Sequence, residues 1–568
     1  CFLALSGGDG AEAGSGEKVA MRMALAATEY QQQPVQHLFA EELAAIRDEV
    51  SGLIRATITD ALPTEDLDAL LHGLDQIQSP QVDLSALTSK LENDDNTFNS
   101  SFNSADLRRL LQVTKQLSDL HWRLSEGPNG LGRARFGLAV APGSVATWAG
   151  VFPHNPFQVP VVIDMTGDVS QLAAGLLQGQ IRATTEAVGV MRTARLEIDQ
   201  PSGVDWQRAA IERLTWLQLT AQERLLCPPL FLVGDDEILA GRGFSQITWL
   251  LNSELPIKIL IMAELDFGLT GSVPSELPLA PVNNPRANIG LLALAQQKAY
   301  VAQSSISAPD HLRESIRAAI VFAGPALIHV HAPSPQRHGF APDHTFEQAS
   351  LAVASRTFPL FRYDPEGEGV FGSRLDLEGN PEPLQTWQGQ DESELLTPAD
   401  WAFTETRFKH CFRVIEDQDP APIPLVDWLQ LESNARSNKT PCLTGVAGED
   451  EISYVIDSSM LDVVVEREQN WRALQELAGL VTPFTARVEQ EAEQKVAADH
   501  QAELASLKEE YEGRIAQLEQ SIKSDMAVQI KDQLLKLADY RVTRSGDADA
   551  GMPESSQSQG HDVESTES

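Results

Sequence analysis

The chain has 568 residues, with 81 acidic against 43 basic side chains and a formal net charge of −38. That length exceeds what one hydrophobic core organises, so about three units are expected. The negative field argues against nucleic acid or an anionic lipid surface as partner, and an anionic ligand would need a local basic or metal site to recruit it.

No run of about 18 apolar residues is present, so no membrane-spanning helix is expected. "CFLAL" is too short for a signal peptide and lacks a basic flank; residues 2–5 read as a core strand, and Cys1 as the start of a fragment or a processed chain. The four cysteines, Cys1, Cys227, Cys411 and Cys442, form no CxxC pair. This excludes the usual zinc and iron–sulfur spacings and predicts a reducing, cytoplasmic setting. The glycine-rich loop "SGGDGAEAGSGE" (6–17) leads into "EKVAMRMALAAT" (17–28), which has helix-forming composition. Strand, loop and helix make an anion cradle in outline. The loop fails the P-loop test, because Lys18 lies between Glu17 and Val19, and it also fails GxGxxG spacing.

Residues 29–130 change character. "HLFAEELAAIRDEVSGLIRATI", "EDLDALLHGL" and "SADLRRLLQVTKQLSDLHWRL" carry apolar residues at helical spacing and predict a helical insert whose acids form a solvated face. From residue 135 the texture is α/β. "RFGLAVAP", "QVPVVIDM", "PPLFLVGD", "IKILIMAE" and "ALIHVHAP" alternate with helical stretches, which predicts a parallel sheet with helices on both faces. Ligands in such sheets bind beyond the strand C-termini. There the acids Asp235, Asp236 and Glu237 follow Gly234, Glu264 follows Ala263, and "APSPQRHG" (332–339) makes a turn.

His329 and His331 share one face of a predicted strand, with His338 and His344 nearby. They read either as a metal site or as buried structural histidines. Ser15 and Ser334 have no GxSxG elbow to make them nucleophiles. Residues 341–480 read as a packed C-terminal extension. Residues 481–540 read as a long amphipathic helix, a coiled coil or a clamp, with apolar positions every three or four residues from Leu504 to Leu537. The polar stretch 541–568 is expected to be disordered.

Several of these stretches resemble the C-terminal thiamine-diphosphate-binding domain of the pyruvate:ferredoxin (flavodoxin) oxidoreductases. "LFLVGDDEILAGRGFSQITWLLNSELPIKILIMAELDFGLTGS" (230–272) is similar to that family's GDG motif and second cofactor strand. "AGSGE" (13–17) is similar to its CxxCGE loop, and "FPHNP" (152–156) to its pocket turn. "GPALIHVHAPSPQRHG" (324–339) and "FEQASLAVASRTFPLFRYDP" (346–365) resemble the segments that end the fold. The resemblance divides the chain into 1–28 and 131–340 for the α/β domain, 29–130 for the insert, then 341–480, 481–540 and 541–568.

By resemblance, the cofactor would be thiamine diphosphate with magnesium. It would be held by Gly14, Ser15, Gly16, Glu17, Gly234, Asp235, Asp236, Glu264, Asp266, Thr270 and Gly271, with Asp235, Glu264 and Asp266 at the metal. The family's motif is altered in several places. Asp236 stands at a glycine position, Glu264 at a threonine, and Leu269 at the catalytic asparagine. Glu12, Ser15, Gly143 and Ser334 stand at the four cluster cysteines, so no iron–sulfur cluster is expected in this chain. The family's activating glutamate comes from another domain, which implies an upstream domain or separate chain as partner, and its dimer-forming surfaces imply a homo-oligomer. Two functions follow from the resemblance. One is a divergent cofactor-binding portion of a 2-oxo-acid (pyruvate) oxidoreductase-like protein; the other is a pseudoenzyme with a structural or regulatory role.

Overall fold

A computed structural model of the chain describes residues 11–61, 104–149, 159–199, 205–269, 288–388, 395–416, 420–436, 438–447, 450–481 and 485–542. The predicted strand 2–5, the helical stretch 65–74, the pocket turn 152–156, Thr270, Gly271 and the tail from 543 lie outside the described residues. The chain divides into two compact units, Cys1–Thr482 and Pro483–Ser568.

The first unit is built on an eight-stranded sheet in the order β2-β1-β3-β4-β6-β5-β7-β8. Its strands are β1 (Gly137–Val140), β2 (Val161–Ile163), β3 (Leu230–Asp235), β4 (Lys258–Ala263), β5 (Tyr300–Ser305), β6 (Ala326–His331), β7 (Phe361–Tyr363) and β8 (Leu375–Asp376). The pairings from β2 through to β5 are parallel, and β7 and β8 close the β5 edge antiparallel. Parallel strands require crossovers, and crossovers bury both faces, which is why β3, β4 and β6 are continuous apolar runs.

The two faces are separated by strand alternation. Phe231, Val233, Leu260, Met262, Ile328 and Val330 meet the helices Gly16–Ala61, Ser144–Ala149 and Pro309–Val321 on one side. Leu230, Leu232, Ile259, Ile261 and Leu327 meet the helices Val169–Asp199, Phe244–Asn252 and Ile289–Gln296 on the other.

The helix Gly16–Ala61 runs unbroken through residues 28 and 29 with Pro34 inside it. The glutamines of "EYQQQP" are good helix formers, and Gln32 is buried. Beyond Ala27 this helix packs Leu43, Ile46 and Val50 against Leu107, Leu111 and Leu117 of Ser104–Ser125, and against Val188 and Met191 of Val169–Asp199. A third core joins Trp401, Phe408, Leu443, Ile456 and Val464 beneath a four-stranded sheet, β10-β11-β12-β9. These strands are β9 (Phe412–Val414), β10 (Pro422–Pro424), β11 (Thr440–Ala447) and β12 (Asp450–Ile456).

The described residues of the second unit form one helix, Thr485–Val542. Leu504, Leu507, Tyr511, Ile515, Leu518, Ile522, Met526, Ile530, Leu534 and Leu537 are all exposed on it. Leu504, Ile515, Met526 and Leu537 recur at an 11-residue interval, the spacing of a near-straight or right-handed supercoil. Among the described residues, no helix is long and apolar enough to cross a membrane.

Candidate functional site

Asp235 is the last residue of β3, at the carboxyl edge of the parallel sheet. Gly234 before it is required by packing, since a Cβ there would lie 2.8 Å from the Ala141 Cβ, just past the end of β1. The Asp235 carboxylate is held by backbone. Oδ2 accepts the Ser144 amide at 3.3 Å and Oδ1 the Ile238 amide at 3.0 Å. Gly143, with φ of 141°, lies against it so closely that a Cβ would come within 2.1 Å of Oδ2. Burial, and next the neighbouring Glu264 charge, push the Asp235 carboxyl up to about 6.

The chain then enters a π-helical turn, Glu237–Arg242. Asp236, at its head, accepts the Glu264 amide at 3.2 Å and so ties the tips of β3 and β4 together. After β4, Leu265 (φ 53°) and Phe267 (φ 52°) adopt left-handed backbone. Such conformations are costly for residues with side chains and concentrate at functional turns. Asp266 accepts the Gly268 amide at 2.9 Å, folding back on its own loop.

The glycine-rich loop arrives from the other side. Gly14 accepts the Thr345 hydroxyl at 2.7 Å, and the Ser15 hydroxyl accepts the Lys18 amide at 3.2 Å. Gly16 donates to the Pro333 carbonyl at 3.0 Å, an approach so close that a Cβ would meet that oxygen at 2.5 Å. Glu17 is buried; its carboxylate accepts the Ser144 hydroxyl at 2.6 Å and the Trp148 indole N–H at 3.2 Å.

The turn Pro335–His338 completes the site. Ser334 caps it, accepting the Arg337 amide at 3.4 Å, and Gly339 ends it in left-handed conformation. From this turn the Arg337 guanidinium donates to both Glu17 and Glu264. Burial works to lower its proton affinity, but Glu17 and then Glu264 outweigh burial and hold it above its ordinary value. Asp235 adds to the same field. Arg407 donates to the Glu264 carbonyl at 2.8 Å from the far side.

The structure therefore gathers Glu17, Asp235 and Glu264 around Arg337, and sets Gly16 against Pro333 and Glu12 against Ser334. Asp266 lies within the field of Arg407. Sequence reasoning missed Arg337, Ser144 and Trp148. The one available signal was that a field this acidic needs a local base wherever an anion-binding fold is kept, and Arg337 is the arginine of "APSPQRHG".

The positions matched to cluster cysteines are also brought together in part. Ser334 donates its hydroxyl to Glu12, whose other oxygen accepts the Gln336 amide at 2.9 Å. His329 and His331 are buried, with ring centroids 5.1 Å and 5.6 Å from Phe358, and burial takes both down to about 3. Among the described residues, no three His, Cys, Asp or Glu side chains are gathered so as to hold a metal ion.

A parallel sheet covered by helices on both faces, with its strand tips and the glycine-rich loop converging at one edge, is consistent with an α/β fold of the thiamine-diphosphate-binding type. The chain is related to the pyruvate oxidoreductases. It is 26% identical over 298 residues to the pyruvate-flavodoxin oxidoreductase of Rhodospirillum rubrum, covering 49% of this chain and 22% of that protein. It is 37% identical over 82 residues to the pyruvate synthase subunit PorB of Methanothermobacter marburgensis, covering 14% of this chain and 28% of that one. It is 33% identical over 73 residues to the ketoisovalerate oxidoreductase subunit VorB of Pyrococcus abyssi, covering 13% and 24%. The chain thus spans about a quarter of the length of these curated relatives. No family model matches it.

Proposed function

We propose that this chain is a non-catalytic counterpart of the thiamine-diphosphate domain of 2-oxo-acid oxidoreductases, kept as a structural or regulatory module. The observation that carries this is the chemistry at the four positions matched to cluster thiolates. Iron–sulfur clusters need thiolates. Here the positions are Glu12, Ser15, Gly143 and Ser334, and the Ser334 hydroxyl and Glu12 carboxylate satisfy each other. Leu269, at the position of the catalytic asparagine, has no hydrogen-bonding group in its side chain.

A magnesium-bound diphosphate does not fit the residues present. Of the three carboxylates placed at the metal, Glu264 is engaged by the Arg337 guanidinium, Asp235 is engaged by two backbone amides and covered by Gly143, and Asp266 accepts the Gly268 amide of its own loop.

The module's partners are of two kinds. An upstream domain or separate chain faces the strand tips, as the subunit names of the relatives support. A second copy pairs along the helix Thr485–Val542, whose apolar seam is exposed. The buried free thiols of Cys227, Cys411 and Cys442 support a reducing, cytoplasmic setting.

A second reading is favoured by one observation, the carboxylate of Asp235 at the tip of β3. In that reading the chain is a divergent cofactor-binding portion of a pyruvate oxidoreductase-like enzyme. Release of labelled carbon dioxide from pyruvate separates the two. The assay uses the full-length chain with the protein that co-purifies with it, supplied with thiamine diphosphate and magnesium. The expected result is no release above background. Cofactor-dependent release that disappears in Asp235→Asn would establish the second reading.

A further inference from the structure

We infer that the Arg337 guanidinium is the resident cation of this site, standing where a divalent metal would tie a diphosphate to the Asp235 carboxylate and excluding that metal. This deepens the non-catalytic reading and rests on it.

Placement comes first. Glu17 opens the helix that follows the glycine-rich loop, Glu264 follows β4, and Asp235 ends β3. These three elements converge only in the folded chain, and the group that Glu17 and Glu264 share is Arg337. The arginine is also pinned. Ser334 caps its turn, Pro335 fixes the first backbone angle, and Gly339 ends the turn after a single revolution. Its side chain is 37% exposed, against 5% for Glu17 and 15% for Glu264, so it closes the cluster from the solvent side.

The carboxylates are oriented for an arginine. Glu17 is braced by Ser144 and Trp148 with its remaining reach toward Arg337. A planar guanidinium with several donors can bridge two carboxylates in this way, whereas magnesium demands near-octahedral oxygen ligation and keeps its waters.

Charge decides which ligand is refused. Even with Arg407 counted beside Arg337, two guanidiniums against Glu17, Glu264 and Asp235 leave the cluster negative, which repels a diphosphate arriving without metal. The metal's place is already taken. Removal of the guanidinium should therefore convert a closed site into an open acidic one that recruits a divalent cation.

The test is titration of the full-length chain with manganese(II) alone, read by electron paramagnetic resonance. Thermal unfolding is run on each variant to confirm that it is folded. The wild-type chain should bind no ion that depends on Asp235. Arg337→Ala should bind one ion per chain with Kd on the order of 0.1–1 mM, typical of a weak site with few charged ligands. That binding should vanish when Asp235→Asn is added. Arg337→Gln, which keeps the size and one amide donor, serves in the same way where the alanine variant does not fold. Two results overturn the inference: an Asp235-dependent ion in the wild-type chain, or folded Arg337 variants that bind none. Because the readout is metal alone, it is separate from carbon dioxide release, which tests the non-catalytic reading by itself.

Discussion

Lys258 enters the sheet at the first position of β4 and is 2% exposed. Its ammonium donates to the Phe322 carbonyl at 2.9 Å and the Gly324 carbonyl at 3.0 Å, closing the end of the helix Pro309–Val321. Burial brings this lysine down to about 7 from its ordinary 10.5. Between those values the unfolded chain holds the proton and the native chain has released it. Native stability therefore rises with pH across that window, by up to about 1.4 kcal/mol per pH unit. Below about 7 both states are protonated and the burial cost stands in full. Urea unfolding of the wild-type chain between pH 7 and 10 should show this rise, and Lys258→Met should flatten it. An unchanged slope in the variant would show that the ammonium is stabilised in place by its two carbonyls.

Among the elements, the helix Thr485–Val542 depends most on something outside itself. Its described side chains lie exposed, and helices gain most of their stability by burying an apolar face. The seam from Leu504 to Leu537 offers ten large apolar side chains, and a second copy presents the same set in register. On the proposed pairing, the wild-type full-length chain should sediment as a dimer at equilibrium, and the double substitution Ile515→Asp and Leu518→Asp should reduce it to a monomer. A wild-type chain that sediments as a monomer at tens of micromolar sinks the pairing.

Other elements were readable from sequence to different depths. The runs "LFLVGD", "KILIMA" and "ALIHVH" were legible as strands because both sheet faces are buried, which removes polar alternation. The continuity of Gly16–Ala61 was hidden, because Pro34 and a polar stretch imitate a boundary that tertiary packing overrides. Asp235 was legible because its motif is local. Arg337 was not, because Glu17 is 320 residues away and nothing near either residue announces the other.

Across the whole molecule, acid should be the weak direction. Burial takes His311 down to about 4, and His329 and His331 to about 3. Between about 3 and the ordinary 6.5 the unfolded chain binds protons that the native chain refuses, so stability falls as pH drops through that range. Asp235, raised to about 6, has the opposite slope between about 4 and 6 and offsets one of the three. The urea midpoint should fall between pH 7 and 4.5. His329→Leu should make that fall shallower, since both ring nitrogens of His329 lack a protein hydrogen-bond partner. A midpoint unchanged over that range would contradict the account.

The bond between Gly16 and Pro333 has a consequence during synthesis. A ribosome adding about 5–20 residues per second needs roughly 16–60 s to travel from one to the other. For nearly all of that interval the apolar flank of Val19, Met21 and Leu25 has been made while β6, part of the surface it will cover, is not complete. The nascent chain therefore carries this stripe without its β6 cover until most of the sheet has been made.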